Sequence, residues 1–335
     1  MSAIREATVA AKERHTTYKG IVPQESDNMK QNLTQFEAGF FLRIPSVTTT
    51  TFFTGNTAEA STRLKERFVK VMQANPWLAS TLAKATSGPN KLDMVYSEEF
   101  DESQINKFFN PAAPFVTAKA PVLDSNMDFC ATCTALSATS AQVKNGIDSI
   151  GMNNPLTILS VIPDSKTPTE RFAVIFSISH VIVDGFTYYK LMDMLSSAGE
   201  EISTLNCVRK HEIQEQIVDS IGKEEHAYFS SGALLCNYAC TAFCSIQKPL
   251  IESYYIDMDR VNKIKEKEKA DSGVDYVSTN DIICSSFAGA TNARTLIMPI
   301  NFREKSPTFT NNDAGNYFCS LYFGYVNYAR VMLYV

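Results

Sequence analysis

Phe172-Ala173-Val174-Ile175-Phe176-Ser177-Ile178-Ser179 is an apolar, β-rich run that ends in His180, passes through Val181-Ile182-Val183 and reaches Asp184-Gly185. Both alternating sets of this run are largely apolar, so the strand it predicts is covered on both faces and central in a sheet. Three consecutive β-branched residues after His180 start a helix poorly. Asp184-Gly185 suits a turn and a helix N-terminus, with the aspartate near the cap position. Phe186, Tyr189 and the apolar residues of 191–195 then give one side of a helix running to about Ala198. One imidazole therefore stands at the tip of a buried strand, with a carboxylate one turn later.

The surrounding pattern is mixed α and β. Pro155-Leu156-Thr157-Ile158-Leu159-Ser160-Val161-Ile162 reads as a second strand, joined to the first by a polar turn and so its antiparallel neighbour. Leu64, Phe68, Val71 and Met72 recur at i, i+4, i+7 and i+8, which predicts a helix over 59–74 that stops before Asn75-Pro76. Trp77, Leu78 and Leu82 follow as an apolar patch, and residues 91–96 alternate as a strand does. Residues 40–44 read as a short strand running into Pro45 and a threonine run. Residues 1–35 are polar and loosely patterned, and residues 101–153 read as loop with short elements.

Composition narrows the function classes. A chain of 335 residues accommodates two domains or one pseudo-duplicated unit. A net charge of −5 gives no basic footprint for nucleic acid. Cys130 and Cys133 form a C-x-x-C with no second pair at zinc spacing, no βαβ unit and no helix start beside it, so they read as reduced thiols. Cys236, Cys240 and Cys244 would share one helix face as packing residues. Reduced thiols suggest a cytoplasmic compartment.

The first fifteen residues mix charges of both signs without an apolar core, unlike a secretory signal. Residues 232–246 are the most apolar stretch, shorter than the about 18 residues of a spanning helix, so a buried core helix is expected and no transmembrane segment. Residues 263–269 alternate in charge sign as a solvated helix face does. His180 and Asp184 lack a third metal ligand, so no metal site is expected; His15, His211 and His226 have no partner pattern.

Ser179-His180-Val181-Ile182-Val183-Asp184-Gly185-Phe186, followed by Leu191-Met192-Asp193-Met194-Leu195, resembles the HxxxDG motif of the chloramphenicol acetyltransferase-like superfamily. That group includes the plant BAHD acyltransferases, alcohol acetyltransferases, wax-ester synthases and condensation domains of peptide synthetases. The helix over 59–74 with Asn75-Pro76-Trp77-Leu78 is similar to the family's first helix and the turn after it. Val277-Ser278-Thr279-Asn280-Asp281-Ile282-Ile283 resembles the opening of a helix in its C-terminal lobe. Ile300-Asn301-Phe302-Arg303 and Asp313-Ala314-Gly315-Asn316-Tyr317 resemble that lobe's arginine-bearing strand and Gly-Asn turn. The matches come in family order over residues 36–317.

The resemblance implies an α/β (α+β) protein of two lobes, each a mixed, mostly antiparallel sheet with covering helices. The lobes would be 1–200 and 250–335, joined by a helical crossover at 201–249, with the second lobe incomplete at 86 residues. It implies an acyltransferase that takes an acyl group from a thioester, acyl-CoA being a co-substrate and no resident cofactor being needed, and gives it to an alcohol or amine. His180 would be the general base, suited by an unperturbed pKa of about 6.5. The absence of a GxSxG or a Cys-His pair favours direct transfer over a covalent intermediate. Asp184 would turn away from the base and pair with an arginine, for which Arg303 has the matching setting. Gly185 would permit close approach of backbone and substrate with a positive φ, Phe186 and Thr187 would line the pocket or the core, and Asn316 would be a supporting turn residue. Ser179 replaces the first histidine of the common HH pair, and the plant branch's DFGWG segment is absent. Two alternatives stay open: a stand-alone condensation-type enzyme using a carrier-protein thioester, and a non-catalytic binding remnant of the fold.

Overall fold

The computed structural model describes residues 28–111, 123–137, 140–196, 201–224, 227, 232, 255–291, 293 and 295–324. Strands β1 (Asn28–Asn32), β3 (Thr81–Lys84) and β4 (Leu92–Ser97) form an antiparallel sheet in the order β1-β4-β3. A second sheet has the order β2-β7-β6-β5, from β2 (Ser46–Thr54), β7 (Arg171–Ser179), β6 (Thr157–Pro163) and β5 (Phe109–Asn110). Its one parallel pair is the short β5–β6 contact. Strands β8 (Thr295–Asn301) and β9 (Phe318–Gly324) make an antiparallel ribbon in the second half of the chain. The helices are α1 (Phe40–Arg43), α2 (Thr57–Ala74), α3 (Phe129–Ser137), α4 (Gly146–Ser149), α5 (Gly185–Leu195), α6 (Ile213–Ile221), α7 (Met258–Ser272) and α8 (Thr279–Ala290).

Strand β7 lies between β2 and β6, and both its faces are covered as its double apolar pattern requires. On one face Phe176 and Ile178 pack under Phe68 and Met72 of α2 and Tyr188 and Leu191 of α5. On the other, Ala173 and Ile175 meet Leu136 of α3 and Leu123. Burying a side chain such as Phe68 or Leu191 stabilises by about 1.5–3 kcal/mol, so this sandwich holds the end of β7 rigidly. In the second half, Ile213 of α6 packs with Phe302, Phe309 and Tyr317, while α7 and α8 share Val261, Val277 and Ile282. Helix α8 opens on a capping box in which Ser278 and Asp281 satisfy each other's backbone N–H.

Three local expectations change. Residues 40–43 are a helical turn, not a strand, and the threonine run after Pro45 is the strand β2. The β-branched threonines fit the pleat, and pairing with all nine residues of β7 decides the outcome over local pattern. Their hydroxyls are used as well: Thr48 Oγ1 lies 2.8 Å from Ser177 Oγ, and Thr49 Oγ1 lies 2.7 Å from the Tyr188 hydroxyl. Cys130 and Cys133 stand at the start of a helix after all, both exposed on α3. Both are free thiols. Helix α5 ends at Leu195 rather than Ala198. Apart from Gly232, the apolar stretch 232–246 with Cys236, Cys240 and Cys244 lies outside the described residues, as do His15, His226 and the aromatic stretch after 324.

The turn after α2 works through Asn75, which is fully buried. Its Nδ2 donates to Ser203 O at 2.9 Å and its Oδ1 accepts from Leu205 N at 2.9 Å, tying the first helix to the segment that leads into the second half. Asn75→Ala should cost about 1–3 kcal/mol in urea unfolding, because it strands a buried N–H and a buried C=O. An unchanged midpoint would show that this tie is not needed.

Candidate active site

The strand ends where its hydrogen bonds run out. Ser179 is the last β7 residue, a turn closes from Ile182 N to Ser179 O at 3.1 Å, and Asp184 caps α5 by accepting from Thr187 N at 2.9 Å. His180 occupies the corner, half-buried. Its Nδ1 lies 3.1 Å from Oδ1 of Asn316, which comes from the other half of the chain. Its ring packs 6.3 Å from that of Phe318, which in turn meets Phe36 edge-on at 5.0 Å. A cavity of about 50 Å³ lies beside this contact, bounded by Phe36, Ile213, Ile217, Asn316, Phe318 and Cys319.

Asp184 points away from the imidazole. Its Oδ2 accepts from Arg303 Nη1 at 2.7 Å and from Tyr317 N at 3.1 Å, while Arg303 Nη2 reaches Oδ1 at 3.3 Å. The Arg303 guanidinium lies between the rings of Phe186, at 4.7 Å, and Tyr317, at 5.2 Å. Thr187 is buried and accepts from Arg303 Nη2 at 2.9 Å, so it belongs to the clamp. Arg303, Asp184, Thr187 and Asn316 thus converge from two distant parts of the sequence on one turn.

Gly315 is the glycine this turn depends on. Its φ is +139°, and an added Cβ would come within 3.2 Å of Arg209 Nη1 and the Tyr317 ring. Its carbonyl accepts from Asp184 N, Thr187 Oγ1 and Arg303 Nη2. Gly185, which the sequence allowed a positive φ, does not adopt one, and a Cβ there meets nothing within 4 Å. The reason is that Asp184, in extended backbone, already makes the entry into α5, leaving Gly185 as an ordinary first helical residue.

A second buried ion pair has no signal in the sequence. Arg209 Nε donates to Glu37 Oε2 at 3.0 Å with both side chains fully buried. Burial by itself would depress the guanidinium, but the Glu37 charge and hydrogen bond together with the nearby Tyr317 and Cys207 groups outweigh it and hold Arg209 above its ordinary pKa. The remaining Arg209 donors go to the carbonyls of Cys207, Ala314 and Ile182. Burial also pushes the Tyr317 phenol up to about 12, and its oxygen accepts from Lys210 N. Neither Glu37 nor Arg209 stands in a recognisable motif; they are 172 positions apart and only the fold brings them together.

The loop bearing Asn316 is tied down by Asp313. Burial would raise this carboxyl, yet donors from Lys210 Nζ, Thr310 N and Asn206 Nδ2 hold it below the usual carboxylate range. A carboxyl whose folded pKa is lowered stabilises fully above its unfolded value of about 3.9 and loses that contribution as pH falls through the lowered pKa. Asp313→Asn should therefore be less stable than the natural chain at neutral pH, with the gap narrowing in strong acid. Paired urea titrations at the two pH values measure it; a constant gap would refute the linkage.

A larger cavity of about 330 Å³ opens between α2, α5 and the β2–β7 surface, against Phe53, Leu64, Phe172, Val174, Phe176 and Met192. Its nearest β7 residue, Phe176, precedes His180 by four positions, about 13 Å along the strand, so this cavity is separate from the imidazole. Among the described residues, no cluster of three or more His, Cys, Asp or Glu could hold a metal ion, and no helix is long and apolar enough to cross a membrane. His211 is exposed. Of the segment 201–249, residues 201–210 form no helix or strand, Asn206 makes an isolated β-bridge to Asp313, and α6 packs on the second half.

The architecture has close counterparts. TRI101 of F. sporotrichioides, solved with coenzyme A and T-2, matches with a TM-score of 0.52 and 10% identity, over 91% of this chain and 71% of that one. TRI101 of F. graminearum with ethyl coenzyme A gives a TM-score of 0.50 at 11% identity, over 91% and 72%. The first condensation domain of the CDA synthetase gives 0.46 at 13% identity, over 88% and 69%. At these identities the likeness shows the fold alone: the chain shares with the TRI101 structures an architecture of mixed, mostly antiparallel sheets with covering helices, the fold that the sequence resemblance implied. No family model matches the chain, and no curated protein matches it in sequence.

Proposed function

We propose that the chain is an acyltransferase that moves an acyl group from a thioester, acyl-CoA, to the hydroxyl or amine of a small acceptor, with His180 as general base. The observation that carries this reading is the place of His180: a half-buried imidazole at the end of a fixed strand, where the two halves of the chain meet. In the transfer, the imidazole takes the acceptor's proton as its oxygen or nitrogen attacks the thioester carbonyl. The C–S bond then breaks, the acyl group stays on the acceptor, and the proton passes from the imidazolium to the departing thiolate. The balance is one thioester and one alcohol or amine in, one ester or amide and one thiol out. Asp184 and Arg303 keep the turn in shape without touching the reacting atoms, and Gly185 opens α5 beside the site. The fold likeness to proteins solved with coenzyme A supports the donor.

The test is a mass-spectrometric screen of acyl-CoA donors against pooled alcohols and amines. Acylated product together with free CoA is expected, and His180→Ala should remove both. Product formed only from a carrier-protein thioester would replace the donor with that of a condensation-type enzyme. Full transfer by His180→Ala would end the general-base reading.

A further inference from the structure

We infer that Glu37 is a positioning residue that sets which nitrogen of His180 carries the proton, acting through Asn316. The inference rests on the reading of His180 as the base and adds what makes Nε2 the basic atom. A neutral imidazole has one N–H and one lone pair, and the partner of one nitrogen decides the role of the other. Here Nδ1 faces Asn316 Oδ1 at 3.1 Å. An amide oxygen accepts and cannot donate, so Nδ1 must hold the proton and Nε2 presents its lone pair.

That conclusion holds only if the Asn316 amide cannot turn over, and its other end prevents this. The Nδ2 group lies 2.9 Å from His180 O, 3.3 Å from Val181 O and 3.3 Å from Glu37 Oε1. All three are acceptors. Turning the amide would set Oδ1 against two carbonyls and a carboxylate, with repulsion at each in a site shielded from water. Glu37 is the member of this trio that side-chain chemistry can change. Its Oε1 also receives Asn316 N at 3.1 Å, and its Oε2 receives Arg209 Nε, Thr34 N and Thr34 Oγ1. Five donors around one fully buried carboxylate hold it in place. The chain of command runs from Arg209 to Glu37, from Glu37 to Asn316, and from Asn316 to the imidazole. Other charged and titratable groups on this side include Asp184 with Arg303, which pair with each other, Cys207 with Tyr96, which lie 3.1 Å apart, Cys319, and Tyr317, whose hydroxyl donates to Val208 O at 3.2 Å.

Glu37→Gln tests the direction of the lock. Arg209 and Thr34 would draw the new amide oxygen to the Oε2 position, leaving its NH₂ facing Asn316. The His180 and Val181 carbonyls still favour the original orientation, but Asn316 Nδ2 now faces a donor, so the lock weakens and a share of the molecules turns the amide, presents a donor to Nδ1 and moves the imidazole proton to Nε2. The readout is two-bond proton–nitrogen NMR on nitrogen-15 histidine-labelled protein at a pH where imidazole is neutral, with the His180 signals identified by their loss in His180→Ala. The natural chain should show the Nδ1–H form and Glu37→Gln a clearly raised share of the Nε2–H form, with kcat/KM lowered in proportion to the lost Nδ1–H share and KM little changed. In Glu37→Gln/Asn316→Asp the residue facing Nδ1 can only accept, so the Nδ1–H form should return and part of the rate with it. An Nε2–H signal in the natural chain, or an unchanged Nδ1–H signal in folded Glu37→Gln, would overturn the proposal. Should Glu37→Gln not fold, Asn316→Ala decides by the same spectrum: loss of the Nδ1–H preference supports the lock, and its retention refutes it. The tautomer is read without any substrate, so a failure of the lock is distinct from a failure of the acyl-transfer reading.

Discussion

Asp184→Ala is expected to cost the folded state about 3–5 kcal/mol, because it leaves the Arg303 guanidinium buried without its counter-charge. Asp184 is 3% exposed and Arg303 2%, so water cannot replace the lost partner. The same change removes the acceptor for two backbone donors, Thr187 N at the start of α5 and Tyr317 N at the start of the last turn. Against a typical total stability of about 5–15 kcal/mol, this is a large fraction, and the turn carrying His180 should loosen first. Asp184→Asn keeps the shape and the Thr187 bond but not the charge, so it should fall between. Asp184→Ala/Arg303→Met should cost less than the two single changes together, since it removes the stranded cation along with its partner. Urea unfolding of the four variants measures the cycle; a loss under about 1 kcal/mol for Asp184→Ala would mean the pair is not buried as described.

His180→Ala should lower kcat/KM by about 10²–10⁴-fold, the usual worth of a positioned general base. Its effect on stability should be small by comparison. The ring is half-buried, and its side chain has one hydrogen bond, to an Asn316 that keeps its other partners. This contrast separates the two residues of the motif: Asp184→Ala fails by unfolding the turn, and His180→Ala fails in a folded protein. A His180→Ala protein that unfolds with Asp184→Ala and shows no separate catalytic loss would merge the two roles and remove the base.

Much of the N-terminal half was legible because its signals are periodic and local. Phe68, Val71 and Met72 mark one face of α2, and the double apolar set of β7 marks a strand covered on both sides. Residues 40–54 misled because local apolar character favoured Phe40 and Phe41, whereas a complete nine-residue ladder with β7 favoured the threonines. The candidate site divides the same way. His180, Asp184, Arg303 and Asn316 stand in recognisable segments, and their contacts are those a strand end and a Gly-Asn turn allow. Glu37, Arg209 and Thr34 stand in none, since a buried ion pair between positions 37 and 209 leaves no trace in spacing or periodicity. Gly185 drew attention because it follows the aspartate, but Gly315, on the opposite side of the clamp, is the residue with the left-handed backbone.

The amino-acid order by itself determined that a histidine would end an interior strand and that an aspartate would cap the helix after it. Those outcomes depend on side-chain shape and backbone preference within a few residues. Tertiary structure alone decided what surrounds the ring: which amide faces Nδ1, which carboxylate holds that amide, and which guanidinium holds the carboxylate. Directional bonds between residues far apart in the chain exist only after the two halves have packed, because only then is water excluded and each buried donor left with protein acceptors alone.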